Sequence, residues 1–120
     1  MNWPEWGSLV FGMGVGHAVI DVVLQDPRIS SMAMRKDPNG FQSLLYYKGH
    51  WPYWLLAHGL LNGWAVTIIT DRPDLGMAEA VAHIGIDLGK MKGLYSVHVD
   101  QAAHWICKGV WAYLTVTGGL

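Results

Sequence analysis

The sequence has little charge and only one cysteine. Asp, Glu, Lys and Arg make up 14% of the 120 residues, and the formal net charge is −1, whereas about 25% of the residues of an ordinary soluble domain are charged. No run of Lys or Arg is present, so we expect no nucleic-acid partner. The single Cys107 excludes an internal disulfide and a zinc site made of several cysteines, and we expect it to be a buried thiol.

A dinucleotide-binding loop is also absent, although three glycines occur in the stretch GMGVGHAVID, residues 12–21. Such a loop needs the spacing G-x-G-x-x-G between a strand and a helix, and here the glycines alternate within an unbroken apolar segment. Gly12 and Gly16 instead form a small-xxx-small pair, which allows two helices to approach closely. His17 and Asp21 are therefore the residues of this stretch that could carry chemistry.

Apolar residues make up 52% of the chain and concentrate in four segments that we predict to be helices: residues 7–25, 51–70, 74–92 and 97–117. Pro27 is predicted to end the first helix, and Asp74 to be the N-cap of the third. The connection 26–50 is long for a structureless loop, and we predict that it holds a short helix. The predicted fold class is all-α, a four-helix bundle in a single helical domain, residues 1–120.

The length of these segments and the positions of the basic residues favour a membrane protein. Three of the four segments approach the roughly 20 residues that cross a bilayer. If all four cross it, Arg72 lies alone on one side, and the other side holds Arg28, Arg35, Lys36, Lys48, Lys90 and Lys92. The positive-inside rule then predicts a membrane-embedded bundle in contact with lipid, with both termini outside the cytoplasm. The alternative is a soluble cytoplasmic bundle, favoured by a mean hydropathy of only +0.22; whether the chain forms a homo-oligomer stays open.

Three pairs of His and Asp are spaced four residues apart, so the members of each pair share one face of a helix. Random placement would give about 0.7 such pairs. The three pairs all lie within the apolar segments: His17–Asp21, His83–Asp87 and Asp100–His104. Taken singly, each pair is typical of a structural hydrogen bond. Taken together, three carboxylates in an apolar bundle repel one another and are costly to bury unless they bind cations.

We therefore predict that these six residues bind a divalent metal (Zn, Mn or Fe) as one or two ions. His58 is predicted to be a further ligand or a general base. Lys90 is predicted to bind a substrate anion, or else only to neutralise Asp87. Bound ions with an open position lower the pKa of water toward about 7, which predicts a hydrolase of phosphoester or lipid-linked substrates. Two alternatives stay open: a polar network for ion or proton passage or for partner assembly, and a soluble domain that binds a small ligand.

Several stretches of the chain resemble a known family: HAVIDVVLQ followed by MAMRK, then LLAHGLL, HIGIDLGK and VDQAAHW. The chain is similar to small predicted membrane proteins of bacteria and phages, the domain-of-unknown-function family 3307. The resemblance implies a location in the bacterial inner membrane but no particular reaction, because the family has no established activity. It also implies a set of polar site residues: His17, Asp21, Gln25, His58, His83, Asp87, Lys90, Asp100, Gln101 and His104.

Overall fold

The computed structural model describes residues 1–24 and 51–120, which form helices and no strand. Four of these are α-helices, which confirms the all-α prediction, and a short π-helix (the π segment) continues the first. In chain order they are α1 (Trp3–Ala18), the π segment (Val19–Leu24), α2 (Trp51–Thr70), α3 (Pro73–Met91) and α4 (Val97–Thr117). The short helix predicted within 26–50, together with Gln25 and Pro27, lies outside the described residues.

The first helix differs from its prediction at both ends. It begins at Trp3 instead of residue 7, because Asn2 caps it: the Asn2 Oδ1 accepts a hydrogen bond of 3.1 Å from the backbone N–H of Glu5. Its last part, predicted as ordinary helix to residue 25, is the π segment. Single π-helical turns are frequent at functional sites, and this one carries Asp21.

The third helix begins one residue earlier than predicted, and Asp74 is not its N-cap. The N-cap is Arg72, and Pro73 occupies the first helical position, where the fixed φ of proline suits the helix and its missing N–H costs nothing. Asp74 lies in the first turn instead, and its Oδ1 accepts a hydrogen bond of 3.1 Å from the Arg72 Nε. The prediction was wrong because Asp is favoured both as a cap and in the first turn.

The helices run alternately up and down, and α1 and α3 each pack against both α2 and α4. Trp6 Nε1 donates a 3.0 Å hydrogen bond to the carbonyl of Gly109, and His17 Nε2 lies 3.2 Å from Gln101 Oε1. The first part of α1 thus contacts the second half of α4, and the last part of α1 contacts the beginning of α4. These two helices are therefore antiparallel. Between α2 and α3 only residues 71–72 intervene, which makes that pair an antiparallel hairpin.

Small residues bring α2 close to both of its neighbours. A Cβ on Gly63 would lie 2.5 Å from the carbonyl oxygen of Gly76, so the backbones of α2 and α3 are in direct contact. On the other side, Cβ atoms on Gly12 and Gly16 would lie 3.5 and 3.4 Å from side chains of α2. This contact agrees with the packing role predicted for the small-xxx-small pair.

The buried apolar core lies toward the end of the bundle where α1 begins and α4 ends. Its centre consists of Met13, Val66, Leu75 and Ala112. The other half of the interior holds most of the buried polar residues beside the apolar Ile20, Leu55 and Met91, and it contains the candidate site. Cys107, predicted to be buried, is only half-buried, because it lies about 100° around α4 from the inward-facing Lys108.

Large apolar side chains cover much of the exterior. In α2, every exposed residue between 55 and 70 is apolar: Leu56, Ala57, Leu60, Leu61, Trp64 and Ile68. In the described part of the chain, the exposed charged side chains lie at the two ends of the bundle, with Glu5, Asp71 and Asp74 at one end and Lys92 at the other. Within residues 1–24 and 51–120, no helix combines the length and the apolar character that a bilayer span requires.

Candidate metal centre

Two polar stripes face each other where α3 packs against α4. The α3 stripe consists of Glu79, His83 and Asp87, and the α4 stripe of Asp100, His104 and Lys108. Each stripe follows a four-residue spacing, which places its members on one face of the helix. All six side chains are buried. Because the helices are antiparallel, the stripes meet pairwise, with the rings of His83 and His104 4.0 Å apart between centroids.

Helices α1 and α2 and the π segment complete the cluster from the opposite side. His17 Nε2 lies 2.9 Å from Asp21 Oδ2, and His58 Nε2 lies 2.9 Å from Asp21 Oδ1. His58 Nε2 also lies 3.0 Å from His83 Nε2, which links the two sides. The structure therefore brings together His58 and all six residues predicted to bind metal.

Asp87 occupies the middle of the cluster. Its Oδ1 lies 2.9 Å from His104 Nε2, whereas its Oδ2 lies 3.2 Å from His83 Nε2 and 3.4 Å from His58 Nε2. One carboxylate thus faces imidazoles from three helices and offers a different oxygen to each side. Asp87 could therefore serve as a ligand to a cation on either side of it.

The ligand atoms form three groups of three, with all atoms of a group within 4.8 Å of one another. Two of these groups share no residue: one is Asp21, His58 and His83, and the other is Asp87, Asp100 and His104. The third group consists of His17, His83 and His104. The first two groups combine nitrogen and oxygen ligands and the third offers three imidazole nitrogens, and both kinds of ligand suit Zn, Mn or Fe.

Some buried polar atoms of the cluster have no hydrogen-bond partner within the described residues. One is Asp100 Oδ1, which lies 3.6 Å from His104 Nε2 in a residue that is fully buried. The facing Nε2 atoms of His58 and His83 are only 3.0 Å apart, so they cannot both carry hydrogen. Orphaned and opposed polar atoms are costly to bury. A cation among them would remove this cost, so the residues present fit a divalent metal.

Lys90 and Gln101 lie at the edge of the cluster. Lys90 Nζ is 3.7 Å from Asp100 Oδ2, and its side chain is 21% exposed. Its ion-pair partner is therefore Asp100 and not Asp87, the partner suggested by sequence spacing. Gln101 Nε2 donates a 3.1 Å hydrogen bond to Asp100 Oδ2, and Gln101 Oε1 lies near His17. Lys90 and Gln101 thus contact the same oxygen of the Asp100 carboxylate.

Sequence reasoning missed two residues behind the cluster, Glu79 and Trp111. Glu79 Oε1 lies 3.3 Å from His83 Nδ1, and Glu79 Oε2 accepts a 2.7 Å hydrogen bond from Trp111 Nε1. Lys108 contacts the same carboxylate. The available signal was the continuation of the four-residue spacing from Asp87 through His83 back to Glu79.

No known protein family, curated protein or solved structure matches the chain. The resemblance to the domain-of-unknown-function family 3307 stays a prediction. The geometry of the cluster is therefore the basis for assigning a function.

Proposed function

We propose that the protein is a membrane-embedded hydrolase that binds two divalent cations and cleaves phosphoester bonds of lipid-linked substrates. The observation that carries the proposal is the pair of adjacent ligand groups that share no residue: Asp21, His58 and His83 beside Asp87, Asp100 and His104. Asp87 belongs to the second group and faces imidazoles of the first. In enzymes with two metal ions, such ions lie about 3.5–4 Å apart.

The charge of the cluster supports two cations. Asp21, Asp87 and Asp100 bring three negative charges together, and Lys90 contributes one positive charge near Asp100. Imidazoles that bind metal are neutral, so in the metal-bound protein two negative charges of the carboxylates are left for the cations to compensate in a mostly buried place. The desolvation of these carboxylates is costly, and two divalent cations would offset it.

Divalent cations held here would activate water and stabilise the charge that develops on a phosphoester. In the hydrolysis, the water oxygen joins phosphorus, the bond from phosphorus to the alcohol oxygen breaks, and one water proton ends on that alcohol. Asp87 keeps the two ligand groups at a fixed separation, and Lys90 binds a phosphate oxygen. We assign His58 to the ligands, since its Nε2 lies among the carboxylates.

The distribution of side chains supports a location within a bilayer. The polar residues His58 and Asn62 of α2 are buried, and the exposed residues in the middle of that helix are apolar. The mean hydropathy of the whole helix includes these buried polar residues, although they would not face the lipid. Helices α2, α3 and α4 have 20, 19 and 21 residues, so each is about 30 Å long, close to the thickness of the hydrocarbon core.

Metal analysis of the detergent-purified protein tests the proposal. We expect about two equivalents of transition metal per chain. Asp87→Asn should lower the content to one equivalent or less, because the carboxylate facing both ligand groups is lost. Asp74→Asn is the matched control, since Asp74 is an exposed carboxylate on the same helix, and this variant should keep its metal.

Hydrolysis is measured on two probes, a chromogenic phosphodiester and phosphatidic acid in mixed micelles. We expect metal-dependent activity that is lost in Asp87→Asn and retained in Asp74→Asn. A wild-type protein without bound metal, or an Asp87→Asn variant with full metal content, would contradict the site. Bound metal without hydrolysis of either probe would contradict the enzymatic part of the proposal.

A further inference from the structure

A second layer of buried polar residues lies directly behind the metal centre proposed above, on which this inference rests. We infer that Glu79 is a positioning residue: it fixes the His83 imidazole in the orientation and tautomer that present Nε2 to a metal. Lys108 and Trp111 in turn hold Glu79. None of these three residues belongs to the ligand groups.

Both carboxylate oxygens of Glu79 are engaged. Oε1 lies 3.3 Å from His83 Nδ1 and accepts a hydrogen bond of 3.4 Å from Lys108 Nζ, while Oε2 accepts one from Trp111 Nε1. Glu79 and Lys108 are each only 1% exposed, so water does not compete for these contacts. The carboxylate therefore has one fixed orientation toward the ring.

This contact favours Nε2 as the nitrogen of His83 that binds metal. Each ring nitrogen faces a carboxylate, which only accepts hydrogen bonds: Nδ1 faces Glu79 Oε1, and Nε2 lies 3.2 Å from Asp87 Oδ2. With the Nε2 lone pair on a cation, the hydrogen of the neutral imidazole is on Nδ1, which donates it to Glu79. The Nδ1 atoms of His17, His58 and His104, in contrast, have no hydrogen-bond partner among the side chains and backbone groups that the structure describes. Of these four imidazoles, His83 is thus the one that the described residues orient from behind.

His83 also has a central position among the ligands, because it belongs to two of the three ligand groups. Groups that hold the second nitrogen of a metal-bound imidazole raise its basicity and fix its orientation, and their loss costs about 10–100-fold in metal affinity. Glu79 therefore acts on a ligand whose misplacement would disturb two of the three ligand groups.

A purely structural role for Glu79 is the competing explanation. Removing Glu79 alone would leave the buried ammonium of Lys108 without its partner, which destabilises a fold whether or not metal binds. Replacing both members of a buried ion pair by apolar residues of similar volume is often neutral or stabilising. Variants that also change Lys108 to Met therefore separate the two roles.

The experiment compares two double variants of the full chain with the wild type. In Glu79→Met with Lys108→Met the acceptor for His83 is lost, and in Glu79→Gln with Lys108→Met a neutral acceptor is kept. We expect the Met–Met variant to bind Zn²⁺ about 10–100-fold more weakly than the wild type, and the Gln variant to recover part of this loss. Zn²⁺ affinity is measured by competition with a chelator, and the Co²⁺ absorption spectrum reports the ligand geometry.

Equal Zn²⁺ affinity and equal Co²⁺ spectra in the two double variants would overturn the inference, because they differ in the acceptor and not in the ion pair. Thermal unfolding of the metal-free proteins checks that both double variants fold. A wild-type protein that takes up no metal would instead contradict the proposed function, so the two failures are distinguishable.

Discussion

Among single residues, Tyr95 connects the turn between α3 and α4 to the end of α3. Its hydroxyl donates a hydrogen bond to the carbonyl of Ile86, and its ring packs where a side chain on Gly89 would lie. Burial, together with the negative charges of Asp100 and Asp87, raises the pKa of the Tyr95 phenol above its ordinary value. The hydroxyl therefore stays neutral and able to donate at pH values where a free tyrosine ionises.

Removing this hydroxyl tests its contribution to stability. We expect Tyr95→Phe to lower the free energy of unfolding by about 1 kcal/mol, because a hydrogen bond is lost. In the wild type, stability should fall as the pH rises above about 10, since the unfolded tyrosine loses its proton first. Tyr95→Phe should show less of this fall. Denaturant unfolding in detergent at about pH 8 and about pH 11, followed by tryptophan fluorescence, measures both effects.

Tyr113→Phe is the matched control for this prediction, because Tyr113 is 52% exposed on α4. We expect it to leave the free energy of unfolding nearly unchanged at both pH values. Equal effects of the two substitutions would show that the contact with Ile86 contributes nothing.

Residue spacing predicted that each His–Asp pair shares a helix face, because the geometry of a single helix determines this. It did not predict that Asp87 would face imidazoles from three helices, or that Glu79 would contact the far side of the His83 ring. These contacts depend on how each helix is rotated toward its neighbours, which the pattern of one helix does not encode. Lys90 illustrates the same limit, since spacing paired it with Asp87 and packing pairs it with Asp100.

Among the helices, the contact between α2 and α3 depends on the absence of a side chain at Gly63. We expect Gly63→Ala to destabilise the protein by about 1–3 kcal/mol, because the added methyl would collide with the backbone of α3 and force the helices apart. A Cβ at this position would also lie 3.0 Å from the Ala80 Cβ, so the added methyl would collide with two separate residues of α3. The melting temperature in detergent measures the effect.

Gly85→Ala provides the control on the neighbouring helix. A Cβ on Gly85 meets nothing within 4 Å, so only helix propensity changes, and we expect a gain of about 0.5–1 kcal/mol. An increase in stability from Gly63→Ala, like the one expected from Gly85→Ala, would contradict the close approach of α2 and α3.

Two helices have the bounds predicted from the sequence, 51–70 and 97–117. The last helix has capping residues at both ends. Ser96 Oγ accepts a 3.3 Å hydrogen bond from the Val99 N–H, and Gly118 ends the helix with a left-handed φ of 72°. The π segment had no such signal. Its apolar residues surround Asp21 in the same pattern as those of an α-helix, so composition does not distinguish the two hydrogen-bonding schemes.

On the scale of the whole molecule, antiparallel packing places the exposed acidic and basic side chains of the described residues at opposite ends of the bundle. Both termini lie at the end that carries Glu5, Asp71 and Asp74, and Lys92 lies at the opposite end. The sequence predicted the common side of the termini because four helices are an even number. The metal site predicted from the three His–Asp pairs also required these side chains to turn inward, and in the assembled bundle all of them except Asp21 are buried.

Together with the proposed bilayer location, this arrangement predicts a membrane topology that labelling can test. Cys107 is the only cysteine, so a Cys107→Ser chain accepts single new cysteines as reporters. We expect Glu5→Cys to react with a membrane-impermeant maleimide added to intact bacterial cells, and Lys92→Cys to react only after permeabilisation, because basic ends remain in the cytoplasm. Gly119→Cys is the internal control and should behave as Glu5→Cys does, since both lie at the same end of the bundle. Labelling of Lys92→Cys in intact cells would contradict the orientation, and recovery of the chain without detergent from the soluble fraction would contradict the bilayer location itself.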